Sequence, residues 1–417
     1  MTRLSDMYGL QITADEAAFK HWMRGFEMSL AFDHSGIQAL SEAVRIDPEF
    51  ALAYATLGHQ QIIHGFGRQG RENIVRAVAL CSAVSEREAS QIGVLSAMAE
   101  FDDSALSKAL EHIERWPTDI NVFSKVVGAF GLLAFSGDKN WQQANVDLFL
   151  KYAKFWPEDD WWYLTTLGFM QSDAGDLVPA RRNTEKAWQL RPNGNSAHSL
   201  SHVQIEEGAL VEGRDFISQW LEGPGQNSDF RHHLVWHGFV IDSLMGNSST
   251  EQMQTLYTGE LDAKVSDPMP LSTFADNASF LWRGELNGFE APANAIEDTL
   301  VYMENRFAYS GFGFADIHRI MVVALSHSSE RKQKLANELL ELKNAESDTS
   351  SVAHALMDMM NGFMAFAERD YRVCAATLAR VVGASVMLGG SNPQRSVVKE
   401  TFMQACVQAD LDPLGFA

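Results

Sequence analysis

The stretch WWYLTTLGFMQSDAGDLVPARRNTEKAWQLRPNG, residues 161–194, decides the fold of this chain. It divides into two helix-length segments, and the turn-forming run Asp-Ala-Gly-Asp at 173–176 separates them. Small residues, among them Gly168 and Ala187, recur where two antiparallel helices would cross closely. Pro192 then follows a helix that it cannot continue. The stretch therefore predicts one antiparallel helical hairpin of 34 residues.

The same pattern recurs near the N-terminus. Ala43 and Pro48 close one unit, and Tyr54 and Gly58 continue the next unit in the same frame. A 34-residue period with these positions is the pattern of the tetratricopeptide (TPR) repeat. We therefore predict an all-α, TPR-like α–α superhelix, a solenoid of antiparallel helical hairpins, and leave open whether the array curls on itself.

A looser helix–turn–helix rhythm continues along the rest of the chain, without the period-two alternation of strands. It predicts hairpins at about 87–115, 120–155, 197–221, 230–260, 275–305, 314–345 and 350–383, with a closing helix near 393–409. We expect a single repeat domain over 1–417. Its N-terminal repeats would cover about 15–115, its central repeats about 120–260, and its C-terminal repeats and capping helix about 270–410.

The amino-acid composition argues against some classes of binding partner. The 417 residues carry 33 Lys+Arg against 54 Asp+Glu, a net charge of −21. Such a surface repels phosphate backbones and anionic headgroups, so neither nucleic acid nor a membrane is an expected partner. Three widely spaced cysteines and the lack of an apolar leader predict a cytoplasmic protein. A small molecule or peptide is the expected ligand, and a homodimer is a possible assembly.

The most distinctive feature is a series of histidines placed one repeat apart. His198, His202 and Glu206 follow one another at four-residue spacing, which places them on one face of a helix. His233 and His237 repeat this spacing 35 residues later, about one repeat further along. Equivalent positions of stacked repeats are neighbours, so the sequence predicts that four imidazoles and a carboxylate approach one another. The competing interpretation is structural, because His202 holds the close-approach position that glycine usually fills.

Further polar residues follow the same rhythm. Asp276 comes 39 residues after His237, and His318 comes about one repeat later. Arg283 shares a helix face with Asp276, and the pair is either a buried structural ion pair or a clamp for a substrate. Trp236 and Trp282 flank these positions and are interpreted first as core residues and second as a ligand platform.

Taken together in order, several segments resemble the tetratricopeptide repeat protein 38 family over nearly the whole chain. They are Asp47-Pro48-Glu49-Phe50, Ser85 to Glu88, His198 to Glu206, His233 to His237, Asp276 with Leu281-Trp282-Arg283, Asp316 to His318, Gly389-Gly390-Ser391 and Gln394-Arg395. The resemblance implies an α-solenoid whose His, Asp, Trp and Arg positions share an internal site. It implies no particular reaction.

One departure from the family pattern concerns the residues just before Gln394 and Arg395. The family usually has His-Ala where this chain has Asn392-Pro393. If that histidine contributes to the site in relatives, the site of this chain differs in its chemistry or in its substrate.

Two functions follow from these residues. In the first, a non-catalytic scaffold binds a protein or peptide along its repeats. In the second, an enclosed pocket binds a small polar or carboxylate-bearing ligand, and whether the protein is an enzyme stays open. The candidate catalytic residues are His202, His237, Glu206 and Asp276. The candidate ligand-binding residues are His198, His233, Trp236, Trp282, Arg283, His318 and Arg395. A divalent metal ion on His202 and His237 is the candidate cofactor.

Overall fold

The computed structural model of the protein describes residues 4–348 and 351–416, and α-helices dominate this part of the chain. The helices are α1 (Glu16–Leu30), α2 (Gly36–Ile46), α3 (Ala51–Ile63), α4 (Gly67–Ala79), α5 (Glu86–Ala99), α6 (Ala105–Arg115), α7 (Ile120–Val126), α8 (Trp141–Tyr152), α9 (Trp161–Asp173), α10 (Leu177–Leu190), α11 (Gly194–Glu206), α12 (Leu210–Glu222), α13 (Arg231–Leu244), α14 (Thr250–Leu256), α15 (Pro270–Leu286), α16 (Ala295–Arg306), α17 (Gly313–Leu325), α18 (Ser329–Ala345), α19 (Val352–Ala367), α20 (Tyr371–Leu378) and α21 (Asn392–Ala409). Short 3-10 helices occupy Cys81–Ala83, Ala153–Phe155, Pro224–Asn227, Val382–Leu388 and Pro413–Phe416, and one π-helical turn spans Tyr257–Leu261.

This order confirms the predicted fold class, an all-α, TPR-like array of antiparallel hairpins. Each predicted hairpin corresponds to a pair of consecutive helices, from α5 and α6 to α19 and α20, and α21 is the predicted closing helix. Local signals start and stop the helices. Asp160, for example, caps α9 by accepting a hydrogen bond from the backbone N–H of Tyr163 at 2.7 Å. Gly175 then turns the chain toward α10 at a φ of 86°.

Two glycines show why the hairpin template requires small residues. A Cβ atom on Gly168 would lie 2.6 Å from Cγ2 of Thr184 in the facing helix α10. A Cβ atom on Gly58 would lie 2.6 Å from the carbonyl oxygen of Gly70 in α4. Since carbon atoms pack at roughly 3.5–4 Å, any side chain at these positions would push the two helices apart. The predicted close approach of the helices is confirmed at both positions.

The expectation that the chain lacks strands is wrong in one short segment. Strand β1 (Leu4–Ser5) pairs antiparallel with strand β2 (Gln11–Ile12). The carboxylate of Asp6 closes the connection by accepting hydrogen bonds from the backbone N–H groups of Tyr8 and Leu10, both at 2.9 Å. Strands of two residues are too short for alternating hydrophobicity to appear in the sequence.

The described residues form two compact units. The first contains residues 4–136 and 140–231, with α1 to α12, and the second contains residues 137–139 and 232–416, with nearly all of α13 and α14 to α21. The expectation of a single repeat domain stays a prediction. Among the described residues no single helix is long and apolar enough to span a membrane, although α20 and Val382–Leu388, bent by 64°, would be by length and composition together.

In the first unit, the last hairpin lies against the first. The backbone N–H of Asn195, at the start of α11, donates to the carbonyl of Ala31 at 3.3 Å. The N–H of Asp229 donates to the carbonyl of Phe32 at 2.9 Å, and the hydroxyl of Ser228 donates to the same oxygen at 3.1 Å. The turn that joins α1 to α2 thereby holds both the start of α11 and the segment that leads into α13.

Candidate functional site

The first histidine pair lies on α11 of the first unit. His198 and His202 face the same side of the helix, and their Nε2 atoms are 3.0 Å apart. Phe169 of α9 contacts both imidazoles, and its ring centroid is 4.8 Å from that of His202. Phe230 stacks on His198 at 4.2 Å. The aromatic rings therefore hold two ring nitrogens toward one point.

Glu206 is the last residue of α11 and is only partly buried. It lies one helical turn after His202, as its spacing predicts. Its proposed catalytic role stays a prediction.

The second pair lies on α13 of the second unit and has the same geometry. The Nε2 atoms of His233 and His237 are 3.0 Å apart, and Trp236 stacks on His233 with ring centroids 5.2 Å apart. Asp276 of α15 places both carboxylate oxygens 2.9 Å from Nδ1 of His233. His237 is fully buried and Asp276 is equally inaccessible.

The carboxylate of Asp276 fixes the tautomer of His233. An ionised carboxylate only accepts hydrogen bonds, so the proton of the neutral imidazole must reside on Nδ1. The lone pair of His233 then lies on Nε2, directed at His237. This is the arrangement in which a carboxylate orients a metal-ligating histidine.

The separation of the ring nitrogens is compatible with a shared ion. Two nitrogens 3.0 Å apart, each about 2.05 Å from one ion, subtend roughly 95° at that ion. A tetrahedral ion with the same bonds needs about 3.3 Å between the nitrogens, an opening of only about 0.3 Å. His198, His202, His233 and His237 together are the described residues that offer candidate metal ligands.

Several buried polar atoms of the second unit have no hydrogen-bond partner among the described residues. They are Nε1 of Trp236, Nε2 of His318, Nε2 of Gln394 and both ring nitrogens of His232. Because buried polar atoms are nearly always hydrogen-bonded in folded proteins, each of these atoms is a candidate contact for water or a ligand.

His318 of α17 is a hydrogen-bond acceptor in this region. Its Nδ1 donates to the carbonyl oxygen of Phe314 at 2.6 Å, which leaves the lone pair on Nε2. Burial lowers the pKa of His318 to about 4, so the imidazole is neutral at neutral pH. The charge of Asp276 raises the pKa of His318 and that of Arg283 lowers it, and both effects are smaller than that of burial.

The side chains of Arg283 and Trp282 make hydrogen bonds and packing contacts within the fold. The guanidinium of Arg283 donates from Nε and Nη2 to the two carboxylate oxygens of Glu400, at 2.9 and 3.0 Å. The indole N–H of Trp282 donates to the hydroxyl of Thr401 at 2.9 Å, and its ring packs against Phe363. The partner of Arg283 is therefore Glu400 and not Asp276, while ligand-binding roles for Arg283 and Trp282 stay predictions.

Asn392 and Pro393 contact the two candidate arginines. Asn392 accepts a hydrogen bond from Arg395 through its side-chain oxygen, and the backbone carbonyl oxygen of Pro393 accepts one from Arg283 at 2.7 Å. Arg395 also donates to the carbonyl oxygen of Gly390. Of these contacts, only the first depends on the side chain at position 392 or 393.

Sequence reasoning missed a second histidine–carboxylate group, in the first unit. Asp229 accepts from His64 at 3.2 Å and from His34 at 3.1 Å, and both histidines lie outside the one-repeat spacing. It also missed His232 and Gln394, whose buried polar atoms have no partner among the described residues. The only sequence signal for His232 is its position next to His233.

No family model matches the chain. Among solved structures, the chain is similar to yeast Tom70, with 12% sequence identity over 95% of this chain and 97% of that chain, at a TM-score of 0.30. The resemblance to the tetratricopeptide repeat protein 38 family therefore stays a prediction.

Proposed function

We propose that this protein is a helical-repeat protein whose histidine pairs each bind a divalent transition-metal ion, and that it also binds a small polar ligand. The proposal takes up the predicted roles of His202 and His237 and extends them to His198 and His233. Three further predictions belong to this proposal. The chain is a member of the tetratricopeptide repeat protein 38 family, it lies in the cytoplasm, and it forms a homodimer.

The bond between Asp276 and His233 carries the metal proposal. A carboxylate buried against Nδ1 keeps Nε2 of His233 unprotonated and orients it toward Nε2 of His237. Without an ion, Nε2 of His237 would donate a hydrogen bond to Nε2 of His233 at this distance. When His237 loses that proton, both lone pairs can bind one ion.

The donor atoms select the kind of ion. Imidazole nitrogens suit Zn²⁺, Cu²⁺ and Ni²⁺, whereas Ca²⁺ and Mg²⁺ require oxygen ligands. We propose that each pair supplies two imidazole ligands to an ion of its own, the first pair on α11 and the second on α13.

The buried, unpartnered atoms of Trp236, Gln394 and His318 support the ligand part of the proposal. The indole N–H of Trp236 and the amide N–H₂ of Gln394 are donors, whereas Nε2 of His318 is an acceptor. A ligand with a carbonyl or carboxylate oxygen and a hydroxyl group matches this set. Because Arg283 is already neutralised by Glu400, positive charge for a carboxylate would come from the metal ion or from Arg395.

Elemental analysis of the untagged protein tests the proposal. We expect two equivalents of metal per chain, of which His202→Ala and His237→Ala each lose one and the exposed-site control His327→Ala loses none. No metal in the wild-type protein after loading with Zn²⁺, Cu²⁺ or Ni²⁺ would overturn the proposal and favour the non-catalytic scaffold.

A further inference from the structure

The N-terminal segment of the first unit, residues 4–13, contacts the starts of α5 and α9, and we call this segment the strap. The hydroxyl of Tyr8 donates a hydrogen bond to Oδ2 of Asp160, the N-cap residue of α9, at 2.8 Å. The ring of Tyr8 packs edge-on against the ring of Trp156, with centroids 5.1 Å apart. The strap thus has an aromatic anchor beside α9.

Two charged residues at the start of α5 bind the second half of the strap. Nη2 of Arg87 donates to the backbone carbonyl oxygen of Gln11 at 2.8 Å. The carboxylate of Glu88 accepts from the backbone N–H and from the hydroxyl of Thr13, both at 2.8 Å. Arg87 and Glu88 are buried. Their bonds to the strap are charge-assisted hydrogen bonds, which are stronger than those between neutral groups.

Other residues of the first unit hold these two charges in position. Nη1 of Arg87 donates to the carboxylate of Asp119, the N-cap residue of α7, and to Oε1 of Gln91 at 3.0 Å. Oε2 of Glu88 accepts from the N–H and the hydroxyl of Ser85 at 3.0 and 2.8 Å. Nη2 of Arg87 and Oε1 of Glu88 are directed at the strap. They form a preorganised donor for a peptide carbonyl and a preorganised acceptor for a peptide N–H.

The strap leaves two buried donors beside it unsatisfied. Among the described residues, Nε2 of Gln91 and Nε1 of Trp156 have no hydrogen-bond partner, although the two side chains are only 1% and 6% exposed. Gln91 is bonded to Arg87, and Trp156 packs on Tyr8, so both adjoin contacts of the strap. Because buried polar groups are nearly always hydrogen-bonded, a ligand with further acceptors would satisfy this site better than the strap does.

The strap has little apolar anchorage of its own. Its residues alternate between half-buried and exposed from Leu4 to Gln11, and Ile12 is buried. Its two short strands pair with each other, so they add no backbone ladder to the helices. Ala14 and the N-cap residue Asp15 connect it to α1. Release of the strap would therefore expose little apolar surface and would leave the helical hairpins intact.

We propose that the strap is an internal ligand that closes a peptide-binding site, and that a tyrosine-containing peptide displaces it. The strap defines the peptide: a tyrosine is followed five residues later by a serine or threonine, as Tyr8 is by Thr13. Carboxylate or amide oxygens elsewhere in the peptide would accept from Gln91 and Trp156. A phosphorylated tyrosine is excluded, because its phosphate would face the carboxylate of Asp160.

The proposed site is independent of the metal proposal, because it shares no residue with the histidine pairs. Its regulation follows from competition. A tethered segment acts at an effective concentration on the order of millimolar, so the strap outcompetes a free peptide of the same sequence. Loosening the strap in the full-length chain should therefore raise the affinity for the free peptide.

Isothermal titration calorimetry with a synthetic peptide of residues 4–14 tests the proposal on the full-length protein. Tyr8→Ala and Thr13→Ala each remove a contact of the strap and leave the site unchanged, so both variants should bind the peptide at least tenfold more tightly than the wild type. The control Met7→Ala, at a strap residue that is 40% exposed, should bind like the wild type. No binding by either strap variant at millimolar peptide, or affinities equal to that of the wild type, would overturn the proposal.

Two further titrations locate the bound peptide. Adding Glu88→Gln to Tyr8→Ala should lower the affinity for the peptide at least tenfold, because a neutral amide replaces the charged acceptor of Thr13. A peptide with phosphotyrosine in place of the tyrosine should not bind to Tyr8→Ala. An unchanged affinity in either titration would show that the peptide binds elsewhere and would contradict the site.

One measurement needs no substitution. In isotope-labelled wild-type protein, saturation with the unlabelled peptide should speed the hydrogen exchange of the Thr13 backbone amide, which NMR follows residue by residue. Unchanged protection of this amide would contradict displacement of the strap. A wild-type dimer that Tyr8→Ala dissociates would also overturn the proposal, because the strap would then bind a second copy of the chain.

Discussion

Both carboxylate oxygens of Asp276 lie 2.9 Å from Nδ1 of His233, a residue 43 positions earlier in the chain. The contact joins α13 to α15 and settles which nitrogen of His233 carries the proton. It also gives the histidine pair of the second unit a buried negative charge, which favours a bound cation. Several measurable consequences follow from the contacts of these and neighbouring residues.

Removal of the Asp276 charge should weaken metal binding without removing a ligand. We expect Asp276→Asn to lower the affinity for Zn²⁺ by about 10–100-fold, since outer-shell partners of ligating histidines have effects of this size. Competition with a chromogenic chelator measures the affinity. The matched control is Asp242→Asn, a buried carboxylate on α13 that accepts from Gln252. Equal affinities of wild type and Asp276→Asn would contradict the orienting role.

Two glycine substitutions should have opposite effects on stability, because only one of the glycines lies where two helices pack closely. Gly168→Ala should destabilise the protein by about 1–3 kcal/mol, because its Cβ would overlap Thr184. Gly93→Ala in α5 should stabilise it by about 0.5–1 kcal/mol, because no atom lies within 4 Å of the added carbon. Urea unfolding measures both. A stabilising Gly168→Ala would show that the two helices do not need to approach so closely.

The indole N–H groups of two buried tryptophans have different surroundings. Trp282 donates to Thr401, whereas Trp236 has no partner for its Nε1 among the described residues. In protein from which a chelator has removed any metal, Trp282→Phe should therefore lower the free energy of unfolding by about 1 kcal/mol more than Trp236→Phe does. Equal losses would indicate that the indole N–H of Trp236 is satisfied and does not face a ligand site.

The contact between His64 and Asp229 predicts a pH-dependent stability. Burial alone lowers the pKa of His64, but the hydrogen bond and charge of Asp229 outweigh it, and the pKa is raised overall. A raised pKa means that His64 binds its proton more tightly in the folded protein than in the unfolded chain. The contact therefore contributes its full stabilisation at pH values below the ordinary histidine pKa near 6.5. It is lost as pH rises through the higher pKa of the folded protein.

Asp229→Asn should accordingly destabilise the protein by about 2 kcal/mol at pH 6 and by much less at pH 9. Urea unfolding at the two pH values measures the difference. His34→Gln is the control, because the side chain of His34 is 72% accessible and its contact with Asp229 contributes little. A loss that is the same at both pH values would show that His64 is not the group that binds the proton.

Features that depend on residues close together in the chain could be predicted from the sequence. Gly58, Gly168 and Pro192 identify the hairpins because close crossing and helix termination depend on residues within one repeat. The four-residue spacing of His198 and His202 likewise predicts a shared helix face, and the structure places their Nε2 atoms 3.0 Å apart.

Contacts between residues that are far apart in the chain could not be predicted from the sequence. His64 and Asp229 are 165 residues apart, and their contact requires the last hairpin of the first unit to lie against the first. Arg283 finds Glu400 117 residues away, where helix periodicity had suggested Asp276 on its own helix. No spacing rule reports such pairs, because they depend on how successive hairpins are rotated against one another.

The count of imidazole nitrogens around the bound ion tests the central claim most directly. Extended X-ray absorption fine structure at the zinc edge of the loaded, untagged protein provides this count. We predict two imidazole nitrogens per ion at about 2.0–2.1 Å, with the outer-shell scattering that imidazole rings give. A first shell of oxygen atoms without imidazole nitrogen would contradict metal binding by the histidine pairs.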